Sequence, residues 1–318
     1  MNRVAFCQLP TPCHRLDRAS EALGIDLWIK RDDLTGFAFG GNKGRKLEYL
    51  LGEAQSMNAQ VVVTCGAAQS NFIRQLGAGC ATLGMRCAAA IMNLPYAAIH
   101  GQPIESGEPI ARTGNVVLDD ILGVELHAFE DDDWEVLYAH ADAIADRLEA
   151  EGLRVYRIPI GGSSGVGAFA FALAAEEVGE DFDWVLTPCS SGSTHAGLAY
   201  GFAGTKTRVV GLACDPEPEI MEDLVRLLLE LDEVTGTNKN LSEADLDFRL
   251  DWAGSAYGVP STESTAALTW LARTEGIFLD PVYTAKAFAG VIELARAKQI
   301  GGKVLFWHTG GLPALFAD

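Results

Sequence analysis

Polar and apolar positions alternate in two rhythms along the chain. The stretches 60–64, 85–92, 209–214 and 304–307 are near-continuous apolar runs with few polar residues interleaved. Runs of that length mark strands covered on both faces, as in a parallel sheet. Between such runs lie longer stretches with apolar residues three and four apart. Residues 43–57 place Leu47, Leu50 and Leu51 on one helical face. Further strands are predicted over 26–30, 124–129, 154–158 and 184–186, and helices over 43–57, 114–122, 133–151, 264–275 and 284–298. Additional helices are predicted from about Asn71, from Thr194, and after the turn Gly161-Gly162-Ser163-Ser164-Gly165. Strands alternating with helices predict an α/β protein with parallel sheets and right-handed crossovers. In such sheets ligands sit beyond the carboxyl ends of strands, where Gly-rich turns lead into helix N-termini. The least regular stretches, 93–111 and 232–260, are loop or lid candidates.

Composition narrows the class of function. Of 318 residues 48% are hydrophobic, which is ample for a packed core and excludes an extended disordered chain. The length predicts two domains or one large α/β unit. Lys+Arg 24 against Asp+Glu 43 gives a formal charge of −19, which argues against nucleic acid and anionic membranes as partners. No run of about 18 apolar residues predicts a membrane span, and the N-terminal stretch does not read as a signal peptide. The seven cysteines include no CxxC pair, which predicts reduced thiols in a cytoplasmic protein and no zinc or dithiol site. The histidines at 14, 100, 127, 140, 195 and 308 form no metal-spaced set.

Three strand-turn-helix junctions carry candidate chemistry. In Gly40-Gly41-Asn42-Lys43-Gly44-Arg45-Lys46, Asn42 is a favourable N-cap and Lys43 falls in the first helical turn. The positive end of the helix dipole, with Arg45 and Lys46, lowers the lysine pKa and favours the neutral amine that forms a Schiff base with an aldehyde cofactor. The same spacing also describes a solvated basic helix start. In Pro188-Cys189-Ser190-Ser191-Gly192-Ser193-Thr194, small residues let backbone N–H groups approach a phosphate at a helix N-terminus. Without a Gly-Lys-Ser/Thr ending or GxGxxG, a small monophosphate suits this loop better than a nucleotide, and an ordinary strand–helix turn is the alternative. In Gly66-Ala67-Ala68-Gln69-Ser70-Asn71, amide and hydroxyl groups at a helix start suit a carboxylate, although Ser70 also reads as a plain N-cap. Tyr257, Tyr283, Thr284, His308 and Thr309 sit in or beside turns near the C-terminus and are equally open to structural roles.

Taken in this order, the segments resemble the fold-type II pyridoxal-phosphate enzymes, in particular the branch containing D-cysteine desulfhydrase and aminocyclopropane-carboxylate deaminase. The resemblance runs from Leu9-Pro10-Thr11-Pro12 through Trp28-Ile29-Lys30-Arg31-Asp32-Asp33 and the Gly-Gly-Asn-Lys-x-Arg-Lys-Leu-Glu stretch to the final Gly-Gly-Leu-Pro-Ala-Leu. It implies a tryptophan synthase β-like fold of two parallel-sheet domains, with pyridoxal 5'-phosphate in the cleft between them. The larger domain would be 1–47 plus 157–318 and the smaller 48–156. By this resemblance Lys43 holds the cofactor, Asn71 bonds its phenolic oxygen, and Lys46 with Ser191, Gly192, Ser193 and Thr194 holds its phosphate. Ser70, with Gln69, Asn71 and Phe72 nearby, meets the substrate carboxylate, while Tyr257 and Tyr283 border the reacting carbons. Thr284 and Thr309 stand where the deaminase has Glu and Leu, a desulfhydrase-like pair. A hydroxyl near the pyridine nitrogen makes a milder electron sink than a carboxylate, sufficient to lose an α-proton and expel a good β-leaving group.

Two positions depart from the branch: Phe72 follows Ser70-Asn71 where a histidine is usual, and 93–111 is longer and different. The implied activity is α,β-elimination on a small amino acid, with D-cysteine giving pyruvate, ammonia and hydrogen sulfide. The base is Lys43 or Tyr283. Sulfite release from L-cysteate, cyclopropane deamination, and a cofactor-binding carrier without turnover are the alternatives. A homodimer is also implied.

Overall fold

The computed structural model describes residues 1–92, 110–130, 133–178 and 181–317, so most of the predicted 93–111 loop lies outside the described residues. Among the described residues, ten strands form two sheets. The larger sheet is built from β1 (Cys13–Arg15), β2 (Asp26–Arg31), β7 (Trp184–Cys189), β8 (Arg208–Ala213), β9 (Asp247–Arg249) and β10 (Lys303–His308), in the order β1-β2-β10-β7-β8-β9. The smaller contains β3 (Val61–Ala67), β4 (Arg86–Met92), β5 (Glu125–Ala128) and β6 (Val155–Arg157), in the order β5-β4-β3-β6. The apolar runs are buried as their composition requires: every residue of β3 is buried, and β4 is buried from Cys87 onward.

All pairings are parallel except β1 against β2, where Cys13 faces Lys30. This one antiparallel edge departs from the all-parallel expectation. Both β1 and β9, at opposite edges of the sheet, are three residues long and half-exposed, too short for a periodic signal. Short edges also offer little backbone for pairing with another chain.

The helices that flank these sheets are α1 (Asp17–Leu23), α2 (Lys43–Ser56), α3 (Asn71–Leu83), α4 (Gly114–Ile121), α5 (Trp134–Ala150), α6 (Gly165–Ala174), α7 (Ser193–Phe202), α8 (Ile220–Thr235), α9 (Thr262–Glu275) and α10 (Thr284–Arg296). Helix α8 was not anticipated, although Ile220, Leu224, Leu227, Leu228 and Leu231 form one buried stripe at helical spacing. It occupies the start of the predicted 232–260 loop, and β9 lies inside that stretch too. The loop reading therefore holds only for the connections between them.

A buried charge network anchors α2 to the larger sheet. Arg45 donates from Nε and Nη2 to both oxygens of Asp32 at 2.8 Å, and from Nη1 to Glu177 at 2.6 Å. Asp32 also accepts from Trp307 Nε1 and Thr11 Oγ1, each at 2.8 Å, and its side chain is 0% exposed. Lys30 completes the set by donating to Glu177 at 2.8 Å. Burial alone would raise the Glu177 carboxyl, but the bonds and charges of Arg45 and Lys30 outweigh it and hold the group below its usual range. All seven cysteines are free thiols. Among the described residues no helix is long and apolar enough to cross a membrane, and no cluster of His, Cys, Asp and Glu could hold a metal ion.

Candidate active site

The turns that follow β3, β7, β8 and β10 converge with the start of α2 on one cavity. Its lining includes Lys43, Lys46, Ser70, Asn71, Phe72, Ser191, Gly192, Thr194, Tyr257, Tyr283 and Thr309, which bring together most of the residues singled out from the sequence. Gln69, Ser193 and Thr284 do not line it; each stands one layer behind.

Lys43 opens onto this cavity from the first turn of α2, half-buried. Its amine is pushed down to about 8, chiefly by burial, against the raising influence of a hydrogen bond with Lys46 and of Cys214, Cys189 and Asp280. The mechanism differs from the expected one. Arg45 is not the neighbouring cation here, because it points away into the Asp32–Glu177 network. Residues two apart on a helix do not face each other, whereas residues three apart do, so Lys46 is the neighbour. Lys46 is itself held well below the usual lysine range by burial first and by the Lys43 charge second. It donates to Ser193 Oγ at 2.7 Å and to the Gly161 carbonyl at 3.2 Å. Asn42 is likewise not a side-chain cap: its Nδ2 donates to Thr194 Oγ1 at 3.0 Å, joining the lysine turn to the β7–α7 loop.

That loop ends at Gly192, whose φ of 86° falls where side chains are strained. A Cβ there would sit 3.2 Å from both Leu224 and Leu227 of α8. Gly192 has no side chain to cap α7; the Ser193 N–H donates to Ser163 Oγ at 3.2 Å, and the helix dipole still favours an anion at this end. Lys46 and Thr194 line the cavity beside it, so the chemistry of this corner suits a small anion such as a phosphate group. Gly192→Ala is expected to weaken cofactor retention at least about 10-fold while leaving the fold intact. Equilibrium dialysis against pyridoxal phosphate, with circular dichroism as control, measures it.

At the other wall, Asn71 Oδ1 accepts from Arg74 Nη1 at 2.6 Å and from Asn115 Nδ2 at 3.1 Å. Arg74 has only donors, so this contact fixes which end of the Asn71 amide is oxygen and leaves Nδ2 for the cavity. Arg74 further donates to the carbonyls of Ala38 at 3.0 Å and Gly40 at 3.2 Å, tying α3 to the turn before Lys43. Ser70 caps α3, accepting from the N–H groups of Phe72 and Ile73 at 3.2 and 3.4 Å. Its own hydroxyl proton remains a donor. Gln69 is turned backward, donating to the Thr113 carbonyl at 3.0 Å and accepting from the Asn115 N–H at 2.7 Å. Phe72 is 1% exposed and packs against Gly162, giving an apolar wall.

The hydroxyls of Tyr257 and Tyr283 are hydrogen bonded to each other at the opposite side, and Trp134 stands edge-on to Tyr257 with centroids 5.8 Å apart. Thr284 is buried, its hydroxyl donating to Asp280 Oδ1 at 2.6 Å and accepting from the Asp280 N–H at 2.7 Å. Thr309 faces the cavity, and its carbonyl accepts from the Asn42 N–H at 2.9 Å. His308 is structural: Nδ1 accepts from the Gly310 N–H at 3.1 Å, so Nε2 is the donor to the Phe278 carbonyl at 2.9 Å, and the turn after β10 is fixed.

Sequence reasoning missed the mouth of the cavity. Asp215, Glu217, Asp223 and Arg226 line it, as does Tyr138. Arg226 is committed to Asp223 at 2.8 Å and to Glu230. Burial, then the Glu217 charge, lifts the Asp215 carboxyl to about 6. The position of Asp215, two residues past the carboxyl end of β8, was the available signal.

A half-buried amine of lowered pKa, an anion cradle at a helix N-terminus and a fixed amide donor opposite fit an aldehyde cofactor that bears a phosphate. The two-sheet fold and this cavity define a pyridoxal-phosphate enzyme of fold type II. The chain belongs to the pyridoxal-phosphate dependent enzyme family, whose model matches residues 4–310. It is similar to D-cysteine desulfhydrase of Salmonella typhimurium, 37% identical over 99% of this chain and 95% of that protein, and to its counterpart in Salmonella choleraesuis at 36% with the same coverage. In structure it is similar to a crystal structure of an ACC deaminase homologue, with TM-score 0.90, 35% identity and coverage of 99% of this chain and 93% of that one. Threonine deaminase isoform 2 from Solanum lycopersicum shares the fold, with TM-score 0.64 and 14% identity over 95% of this chain and 79% of that one.

Proposed function

We propose that the protein eliminates a β-substituent from a small amino acid, with D-cysteine the substrate and pyruvate, ammonia and hydrogen sulfide the products. The charge pattern of the cavity carries this choice. Its lining cations among the described residues are Lys43, Lys46 and Arg226, the first two at the cofactor end and the third paired with Asp223. The mouth otherwise presents Asp215 and Glu217. A zwitterion with a neutral thiol enters such a mouth without repulsion, whereas a sulfonate meets carboxylates and no free cation. Cyclopropane opening is disfavoured by the threonines at 284 and 309.

The bound cofactor supplies stabilisation of negative charge at the α-carbon. The protein's share is positioning and proton transfer. Lys43 would hold the cofactor, and its neutral amine would take the α-proton; Tyr283 is the second candidate base. Lys46, Ser191, Gly192 and Thr194 would grip the phosphate, with Ser193 behind them holding Lys46 at 2.7 Å, and Asn71 Nδ2 would meet the phenolic oxygen. Ser70 and Asn71 receive the substrate carboxylate at the start of α3, with Gln69 bracing Asn115 behind them. Phe72 closes the wall beside them, and Tyr257 and Tyr283 border the reacting carbons. Thr309, with Thr284 and Asp280 behind it, would serve the pyridine nitrogen of the bound cofactor.

Residues 1–47 with 157–318 make the larger domain of this reading and 48–156 the smaller, supported by the membership of the two sheets. A cytoplasmic homodimer is part of the same reading. Exposed Val117 and Ile121 on α4, which packs against the C-terminal turn carrying exposed Leu312 and Phe316, supply an apolar face for a second copy.

A panel of D-cysteine, L-cysteine, L-cysteate, D-serine and aminocyclopropane carboxylate tests the assignment, with sulfide, sulfite and keto acid read separately. Sulfide and pyruvate in equal amounts from D-cysteine are expected. Faster sulfite release from L-cysteate, or a yellow protein inert toward all five, would overturn it. Because Asp215 loses its charge below about pH 6, L-cysteate is also expected to inhibit more strongly at pH 5.5 than at 7.5.

A further inference from the structure

Lys286 lies in the first turn of α10, three residues after Tyr283, and is 0% exposed. Its ammonium has three protons and meets three backbone carbonyls: Ala253 at 2.6 Å, Ala256 at 2.9 Å and Cys214 at 2.9 Å. That set satisfies a protonated lysine completely, while a neutral amine has only two protons to give. Ala253 and Ala256 belong to the turn that carries Tyr257, and Cys214 lies just after β8, next to Asp215. This turn has no regular secondary structure, and its conformation includes positive φ at Gly254 (79°) and Gly258 (74°). The Asp215 carboxylate accepts from the Tyr257 backbone N–H on the far side, so the turn is held at both ends of its tip.

We propose that Lys286 is the positioning residue that sets Tyr257 against Tyr283. It joins the helix start bearing one tyrosine to the loop bearing the other and thereby fixes the contact between their hydroxyls. A buried charge with every proton assigned is a stiff joint, because releasing any one carbonyl leaves a desolvated acceptor. The inference rests on the reading that Tyr257 borders the reacting carbons, and the experiment separates the two.

Kinetics of holoenzyme carrying Lys286→Met, Tyr257→Phe and both together form a double-mutant cycle. Lys286→Met is expected to lower kcat for D-cysteine about 10- to 100-fold, since displacement of a reacting group by about 1 Å costs up to that much. KM, cofactor content and the cofactor absorption band stay near wild type, and adding Lys286→Met to Tyr257→Phe costs less than about 2-fold more. Effects that multiply in the double variant overturn the positioning role, as does a loss confined to cofactor content. If Tyr257→Phe alone leaves kcat unchanged, the reading of Tyr257 fails instead. Should Lys286→Met not fold, Lys286→Arg enters the same cycle. It keeps the charge but cannot reproduce the three-carbonyl geometry, and the same two outcomes decide.

Discussion

Replacing Lys43 with alanine is expected to lower kcat by on the order of 10⁴ or more, the scale on which loss of a covalent catalytic group registers. The substitution removes one of two amines that line the cavity from the first turn of α2, the other being Lys46. Burial brings the Lys43 amine to about 8, so about a tenth of it is neutral at pH 7 and able to attack an aldehyde. Lys46, although close, cannot replace it, because it is directed at Ser193 and Gly161. The phosphate cradle and Asn71 remain, so cofactor still binds, but without covalent attachment. Intact mass after borohydride treatment, with turnover on the same sample, is the measurement. A variant that retains a covalently attached cofactor and normal turnover would refute the assignment of Lys43.

The second large effect concerns stability. Arg45→Met is expected to cost about 3–5 kcal/mol, the range for removing one partner of a buried ion pair. Asp32 would keep Trp307 and Thr11 as donors but lose both guanidinium bonds while remaining 0% exposed. In thermal unfolding this corresponds to a drop on the order of 10 °C. The pH dependence adds a signature. Glu177 has a folded pKa below its unfolded value, so its contribution is present above the ordinary value of about 4.5 and is lost as pH falls through the folded one. The stability gap between wild type and Arg45→Met therefore narrows below about pH 4.5. Urea melts at pH 7 and at pH 4 test both statements, and equal stability at pH 7 would show that the network is not holding α2.

What the sequence disclosed follows from the range of the forces involved. Buried parallel strands announce themselves locally, because both faces must be apolar, and β3, β4, β8 and β10 were legible for that reason. Gly40, Gly41 and Gly192 were legible as turns into helices. The Lys43 pKa was expected to fall, yet for another reason: the helix turns Arg45 about 200° away from Lys43, and desolvation, which no local spacing encodes, supplies most of the shift. Asn42 and Gln69 matched local roles that tertiary partners then claimed, Thr194 in one case and Thr113 with Asn115 in the other. Lys286 is invisible at the sequence level because its partners are backbone carbonyls brought from distant turns, whereas Asp215 was marked only by its place just past β8. Strands β1 and β9 carry too few residues for any period to emerge.

The opening turn of α2 points three ways at once, with Lys43 toward the cavity, Arg45 to Asp32 and Glu177, and Lys46 to Ser193 at the start of α7. Inserting a single amino acid after Asn42 would rotate everything downstream by about 100° and disconnect all three destinations together. Along this stretch of the gene, then, substitutions can be weighed one by one, but a change in codon number spoils chemistry and scaffold in the same stroke.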